Sequence, residues 1–283
     1  MYSQFANRAI AGIGIGIAIT FIPLVATAES DPLQVNPASP WYALDAESGW
    51  HFDVGVGAEY EPGYPGSDQY AAEPDVFARA MYRTDSGHRY FFSLGEVGAI
   101  FSLSDRTQFQ MFLEYEEGRE TDDDDTLVGL NKVDATIEGQ FMLARRYGNF
   151  STFAILQPDL TGDANKGVVW FLGGAYDRLF ADGRWRLGTT LDLSGADSEY
   201  MQTEFGITTE EAARTGYTSY QPSSGIKSAS WGISAEYWIK PRLSVQTNIE
   251  TEFYFSEAAN SPLIADFGRR VGLEASVLIR WTF

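Results

Sequence analysis

The sequence predicts an all-β fold, a transmembrane antiparallel up-and-down β-barrel of about twelve strands, with about ten as the alternative. Three observations carry that prediction. Residues Val271 to Phe283 alternate without a break, an aromatic content of 14% accompanies a mean hydropathy of −0.20, and tight turns take turns along the chain with long polar loops. Strands that face lipid and lumen by turns average to near-neutral hydropathy, whereas a helical membrane protein does not.

The final strand is the clearest. Val271, Leu273, Ala275, Val277, Ile279, Trp281 and Phe283 share one face, and Gly272, Glu274, Ser276, Leu278, Arg280 and Thr282 share the other. One face suits hydrocarbon and the other a watery interior. Trp281 and the terminal Phe283 have the form of the signal by which the barrel assembly machinery of a Gram-negative outer membrane recognises its substrates. The last strand of a soluble sandwich would ordinarily be shorter.

The chain of 283 residues has no cysteine, so disulfides and cysteine-ligated metals are excluded. Its net charge of −19 argues against a nucleic-acid partner and in favour of cations or basic proteins. Arg8, the apolar run from Ala9 to Val25 and Ala26-Thr27-Ala28 read as a cleavable signal peptide over 1–28. Residues 29–48, with Pro32, Pro37 and Pro40, read as a periplasmic lead-in, leaving 49–283 for the barrel.

Alternation then recurs along the chain. Trp50 to Tyr60, Phe109 to Glu116, Ala135 to Leu143, Trp185 to Leu193, Trp231 to Ile239 and Leu243 to Phe253 each read as a strand. Weaker patterns fit Val76 to Arg83, Phe150 to Gln157 and Val168 to Leu179. Tight turns fall at 85–87, 104–106, 147–149, 181–183 and 240–242, and long loops at 61–73, 118–131, 159–167, 194–228 and 256–268. Short turns of such barrels face the periplasm and long loops face outside. Parity holds only if Tyr90 to Ser104 is split at Gly95-Glu96 into two strands, which makes the count even.

The loops carry a resemblance. Tyr64-Pro65-Gly66-Ser67-Asp68-Gln69-Tyr70, Gly118-Arg119-Glu120 leading into Asp122 to Asp125 and Leu127-Val128-Gly129-Leu130, Tyr200-Met201 with Phe205-Gly206-Ile207-Thr208, Ser261-Pro262 and Phe283 together resemble the MipA/OmpV family. The resemblance implies an outer-membrane protein that contacts lipopolysaccharide. The family's namesake member is a scaffold joining a periplasmic lytic transglycosylase to a bifunctional murein synthase, and other members resemble porins. Gln69 stands where Asp is usual, Ala71 where Arg is frequent and Glu204 where an aromatic often precedes Phe-Gly, all in regions read here as outer loops.

No nucleophile elbow, paired metal histidines or phosphate loop is present, and His51 and His88 both fall at the periplasmic side, so neither catalysis nor a cofactor is expected. Asp122, Asp123, Asp124 and Asp125 form an acidic run that would attract a divalent cation weakly or stay a solvated loop tip, with Arg119 beside it as a partner. The inward positions predict an acidic lumen: Asp53, Glu59, Glu114, Glu116, Glu138, Asp192, Glu236, Glu250, Glu252 and Glu274, against Arg79, Arg186 and Arg280. Such an interior would favour cations if it holds water, or be closed by ion pairs if it does not. Thr208 to Arg214 has the hydroxyl start and acidic first turn of a short helix. Two functions therefore stand side by side, a non-enzymatic murein scaffold and a narrow cation-preferring porin for small solutes. Deleting Phe283 is expected to lower the yield of folded protein in the membrane; an unchanged yield would show that the terminus is not read as an assembly signal.

Overall fold

The computed structural model describes residues 48–161, 166–180 and 183–283. The expected signal peptide and nearly all of the lead-in lie outside these residues. Twelve antiparallel strands close into a barrel in sequence order: β1 (Gly49–Pro62), β2 (Tyr70–Arg83), β3 (Arg89–Ser93), β4 (Glu96–Ser104), β5 (Thr107–Glu116), β6 (Thr136–Tyr147), β7 (Phe150–Pro158), β8 (Val168–Phe180), β9 (Trp185–Ala196), β10 (Gly225–Lys240), β11 (Leu243–Tyr254) and β12 (Val271–Thr282). The seam joins β1 to β12 from Asp53 opposite Thr282 to Tyr60 opposite Ala275. Beyond it the amide of Phe283 donates to Phe52 O at 2.8 Å, so the terminal residue fastens the closure.

Period-two alternation decides which side faces lipid. Val54, Val56, Leu113, Leu143, Leu191, Ile233, Ile249, Val277 and Ile279 are exposed, while their strand neighbours turn inward. Aromatic rings bracket this apolar band. Trp50 packs on Tyr82 at 5.3 Å and Trp185 on Tyr237 at 4.7 Å near the short-turn end, and Tyr60 stacks on Tyr70 at 5.1 Å near the other. The expected split between β3 and β4 is present, and Gly95 takes a φ of 83° in their turn, a conformation other residues adopt rarely.

Strand ends differ from expectation where propensity misleads. The first long loop is shorter than 61–73, because β1 runs to Pro62 and β2 begins at Tyr70, which places Ala71 in a strand rather than a loop. Proline lacks a ladder donor and is confined to strand edges. Pro74 satisfies that rule, since β2 pairs with β3 only from Arg79 to Arg83. Likewise β9 and β10 extend to Ala196 and from Gly225, shortening the largest loop.

The long loops pack over the outer mouth as a roof. They contain α1 (Ser198–Phe205), α2 (Thr209–Thr215), α3 (Ser256–Asn260) and α4 (Pro262–Ala265). The helix read at 208–214 is α2, whose capping box pairs Thr208 with Glu211. One apolar cluster joins Tyr64, Leu127, Leu130, Ile207 and Leu263, and a second joins Met201, Phe205, Tyr254, Ala258 and Ile264. On the barrel wall, Val277→Arg is expected to cost about 2 to 4 kcal/mol near the bilayer midplane, while Ser276→Arg is tolerated. Equal loss of stability in both, measured by urea titration in lipid vesicles, would contradict the facing.

Candidate functional site

The lumen is lined by every second residue of twelve strands, so register fixes which charges meet. Along the axis the charges separate. Glu59, Glu114, Glu116, Glu138, Asp192, Glu250, Glu252 and Glu274 sit toward the outer ends of their strands, and Glu73, Asp75 and Glu96 join them. The bases Arg79, Arg83, Arg89, Arg186 and Arg280 lie toward the short-turn ends.

At the short-turn end the acids are held by these bases. Arg79 Nη2 donates to Asp53 Oδ2 at 2.8 Å and Thr282 Oγ1 to the other oxygen at 2.7 Å. Arg186 Nε donates to Asp177 Oδ1 at 2.8 Å, and Glu236 accepts from Arg280 and from Ser244 Oγ. At the outer end Lys227 Nζ donates to Glu252 Oε1 at 2.7 Å, and Lys166 Nζ lies 4.0 Å from Glu116.

The remaining outer acids stand in an arrangement that sheets ordinarily avoid. Glu59 is directly opposite Glu73, Glu96 opposite Glu114, Glu114 opposite Glu138, and Glu250 opposite Glu274. Like charges directly opposite on neighbouring strands destabilise the pair. That cost falls when cations or water occupy the space between them.

The two sides of the lumen differ in openness. On β3 to β8 the interior is filled by Arg89, Ile100, Gln108, Gln110, Phe112, Gln140, Met142, Phe153 and Ile155, all buried. Gly173 makes room for this packing, since a Cβ there would meet the Phe153 ring at 2.4 Å. On β10 to β12, Ser234, Gln246, Asn248, Glu250, Glu274 and Ser276 are only half-buried. A polar, accessible strip therefore runs down one wall beside a packed opposite wall.

The acidic run at 122–125 is built into the roof. Asp124 is buried and caps a short 3-10 helix (Asp125–Leu127), with Oδ1 accepting from Thr126 N at 2.7 Å and from Gln69 Nε2 at 3.1 Å, and Oδ2 from Ser67 Oγ. Asp123 accepts from Glu120 N at 2.7 Å, while Asp122 and Asp125 face outward. Among the described residues no three acidic or histidine side chains converge as a metal site. Arg119, expected beside the run, instead spans to α1, where Nη1 donates to Glu204 Oε2 at 3.0 Å and Nη2 to Thr203 O at 3.1 Å. Gln69 and Glu204, two of the departures from the family pattern, thus each hold a roof contact. His88 Nδ1 accepts from Ser102 N at 3.2 Å, which gives it a place in a turn.

Several roof groups have shifted pKa values, in both directions. Burial pushes the Tyr64 phenol up to about 12, and its hydroxyl donates to Leu263 O at 2.9 Å. Burial and the Glu257 carboxylate raise Tyr220 as well. Burial, with the charges of Glu73 and Asp123, raises Glu117. Glu211 goes the other way: burial opposes its charge, but donors at Asn131 N (2.8 Å), Thr208 N (2.7 Å) and Thr208 Oγ1 (2.7 Å) hold it below the ordinary value.

Alternation found the inward face of the strands but missed Glu73, Asp75, Arg83 and Arg89. The first two fall in or next to a stretch that reads as loop, and the two arginines flank the turn at 85–87.

The family description "MltA-interacting protein MipA" matches residues 54–283. No curated protein matches. Among solved structures the chain is similar to the NanC porin, at 10% identity, a TM-score of 0.43, and coverage of 81% of this chain and 98% of that one. It is also similar to the CymD monoaromatic hydrocarbon channel (9%, 0.44, 92% and 94%) and to an outer-membrane channel from Pseudomonas putida F1 (10%, 0.44, 84% and 96%). At these identities the likeness concerns the barrel alone.

A lowered Glu211 contributes stability that is complete above the ordinary value of 4.5 and is lost as pH falls through its folded value. Limited proteolysis of segment 197–224 is therefore expected to speed up between about pH 7 and about pH 3, and Glu211→Gln to raise cleavage already at neutral pH. Unchanged cleavage in both comparisons would remove Glu211 from the roof's support.

Proposed function

Since the chain belongs to the family of MltA-interacting protein MipA, we propose that its barrel is a non-enzymatic, cation-preferring conduit of the outer membrane for small solutes. The observation that carries this reading is Glu250 opposite Glu274 on the half-buried wall of β11 and β12. Two carboxylates held face to face beside an accessible strip lower the energy of a passing cation and raise that of an anion. Glu59 opposite Glu73 extends the same field. The packing of β3 to β8 narrows the route to one side, which suits small solutes and not wide ones. Of the ten acids singled out from the sequence, those toward the outer ends of the strands act here as a field and not as a chelate, whereas Asp53 and Glu236 are paired with arginines, and the export signal over 1–28 belongs to the same proposal.

A second reading is supported by the family description, whose name denotes binding to a murein enzyme. In it the lead-in at 29–48 and the short turns offer a periplasmic surface to a lytic transglycosylase and a murein synthase. The two readings separate in planar bilayers under a potassium chloride gradient. The conduit reading expects steady current with a cation-side reversal potential. Glu250→Gln together with Glu274→Gln is expected to lower cation preference at least about twofold. Anion-side reversal would overturn the cation preference, and silence joined to capture of a transglycosylase by the periplasmic face would favour the scaffold.

A further inference from the structure

The barrel wall is incomplete at one place. β2 has 14 residues, but β3 has 5 and β4 has 9, so the hairpin between β2 and β5 stops partway up. Pairing of β2 with β3 covers Arg79 to Arg83, and one further bond joins Leu94 N to Ala78 O at 3.2 Å. Above it, among the described residues, no backbone bond leaves β2 on that side. On the far side the hairpin meets β5 at Glu96 opposite Glu114 and at Tyr115 N to Gly95 O, 2.9 Å.

Ladder geometry identifies the groups at this edge. Because Ala78 O points toward the hairpin, alternate residues Val76, Pro74 and Ala72 present their backbone groups to the same side. Pro74 has no N–H to leave without an acceptor there. Val76 and Ala72 do.

The gap lies within the hydrocarbon. From Pro74 inward it is below the row in which Tyr60 faces Ala72, and the hairpin tip beside it exposes Phe92, Leu94 and Val97. Lipid does not satisfy an open sheet edge, and each unmet group costs several kcal/mol; such backbone persists only where it is buried in protein or lines a water-filled space, and Ala72 and Pro74 on this stretch are exposed. The edge is therefore wet, and the water reaches it from the lumen.

Asp75 and Phe77 on β2 and Glu96 on β4 are inward residues that border the gap, with Glu117 near Glu73 above them. Outside it the rim is apolar, and above it the loops are packed into the roof. We propose that the gap between β2 and β5 is a lateral aperture through which a cationic amphiphile, its tail in the outer leaflet and its head toward Asp75 and Glu96, passes between lipid and lumen. The role in entry rests on the conduit reading, but the aperture itself does not.

The full chain lacks cysteine, so single-cysteine variants report one site each. Val76, Val56 and Ile279 lie in one register row, with Ile279 on the closed seam. In lipid vesicles, a membrane-impermeant methanethiosulfonate bearing trimethylammonium is expected to label Val76→Cys at least about tenfold faster than Ile279→Cys, since a thiol in hydrocarbon does not ionise. Pro74→Cys, on the same edge and below the Tyr60 row, repeats the measurement should Val76→Cys fail to fold. Equal rates at both edge positions and at Ile279→Cys would overturn the aperture. Dodecyltrimethylammonium is expected to slow edge labelling and dodecyl sulfate to leave it unchanged. Protection by neither, or by both alike, would overturn the cationic occupant. None of these readouts uses ion current, so a silent bilayer would retract the conduit and leave the aperture standing.

Discussion

A sheet edge in hydrocarbon has nothing to bond with, and nearly every feature of this barrel answers to that constraint. It makes the sheet close, and it makes the last residue matter, because the Phe283 amide extends the β1–β12 ladder by one bond, to Phe52, at the short-turn end of the seam. It also explains why a proline is tolerated at position 74, where the ladder is already one-sided. The same rule that closes eleven strand junctions along most of their length singles out the one beside the short β3 and β4 hairpin.

Inside the wall the governing term is electrostatic. Bases at the short-turn end hold Asp53, Asp177 and Glu236 in direct ion pairs, and Arg83 and Arg89 add further positive charge there. The outer end carries an excess of carboxylates, several of them opposed across neighbouring strands. An axial gradient of this kind attracts a cation from the outer side and presents it with competing guanidinium charges further in. The roof adds a second control, because its contacts bring together segments from four loops: Arg119 with Glu204, Ser67 with Asp124, Ser261 with Phe205 and Tyr64 with Leu263.

Much of the fold was readable because a membrane barrel writes its facing into alternate residues. β12, β5 and β11 announced themselves by pattern, and parity alone recovered the division at Gly95. The start of β2 was hidden because Ala71, Ala72 and Pro74 have little strand propensity, and only a one-sided edge accommodates them. The candidate site was legible by half. Alternation assigns a residue to the lumen but not to a height, so ten acids looked like a uniform lining. The strand ends and register were needed to separate them from Arg83 and Arg89 and to reveal that Glu250 faces Glu274. The roof was not legible, because pairing Arg119 with Glu204 depends on contacts 85 residues apart that no local pattern encodes.

The central claim is that lipid surrounds the alternating apolar face and water the other. Tryptophan quenching by lipids brominated along their acyl chains tests it directly, since Trp231 and Trp281 are outward and exposed while Trp238 shares the inward face of β10 with Glu236 and stands opposite the buried Ser244. Variants retaining only Trp231 or only Trp281 should be quenched strongly by brominated lipid and weakly by aqueous acrylamide, with the reverse preference for Trp238 alone. Strong acrylamide quenching of Trp231 and Trp281, with no effect of bromine, would contradict the account.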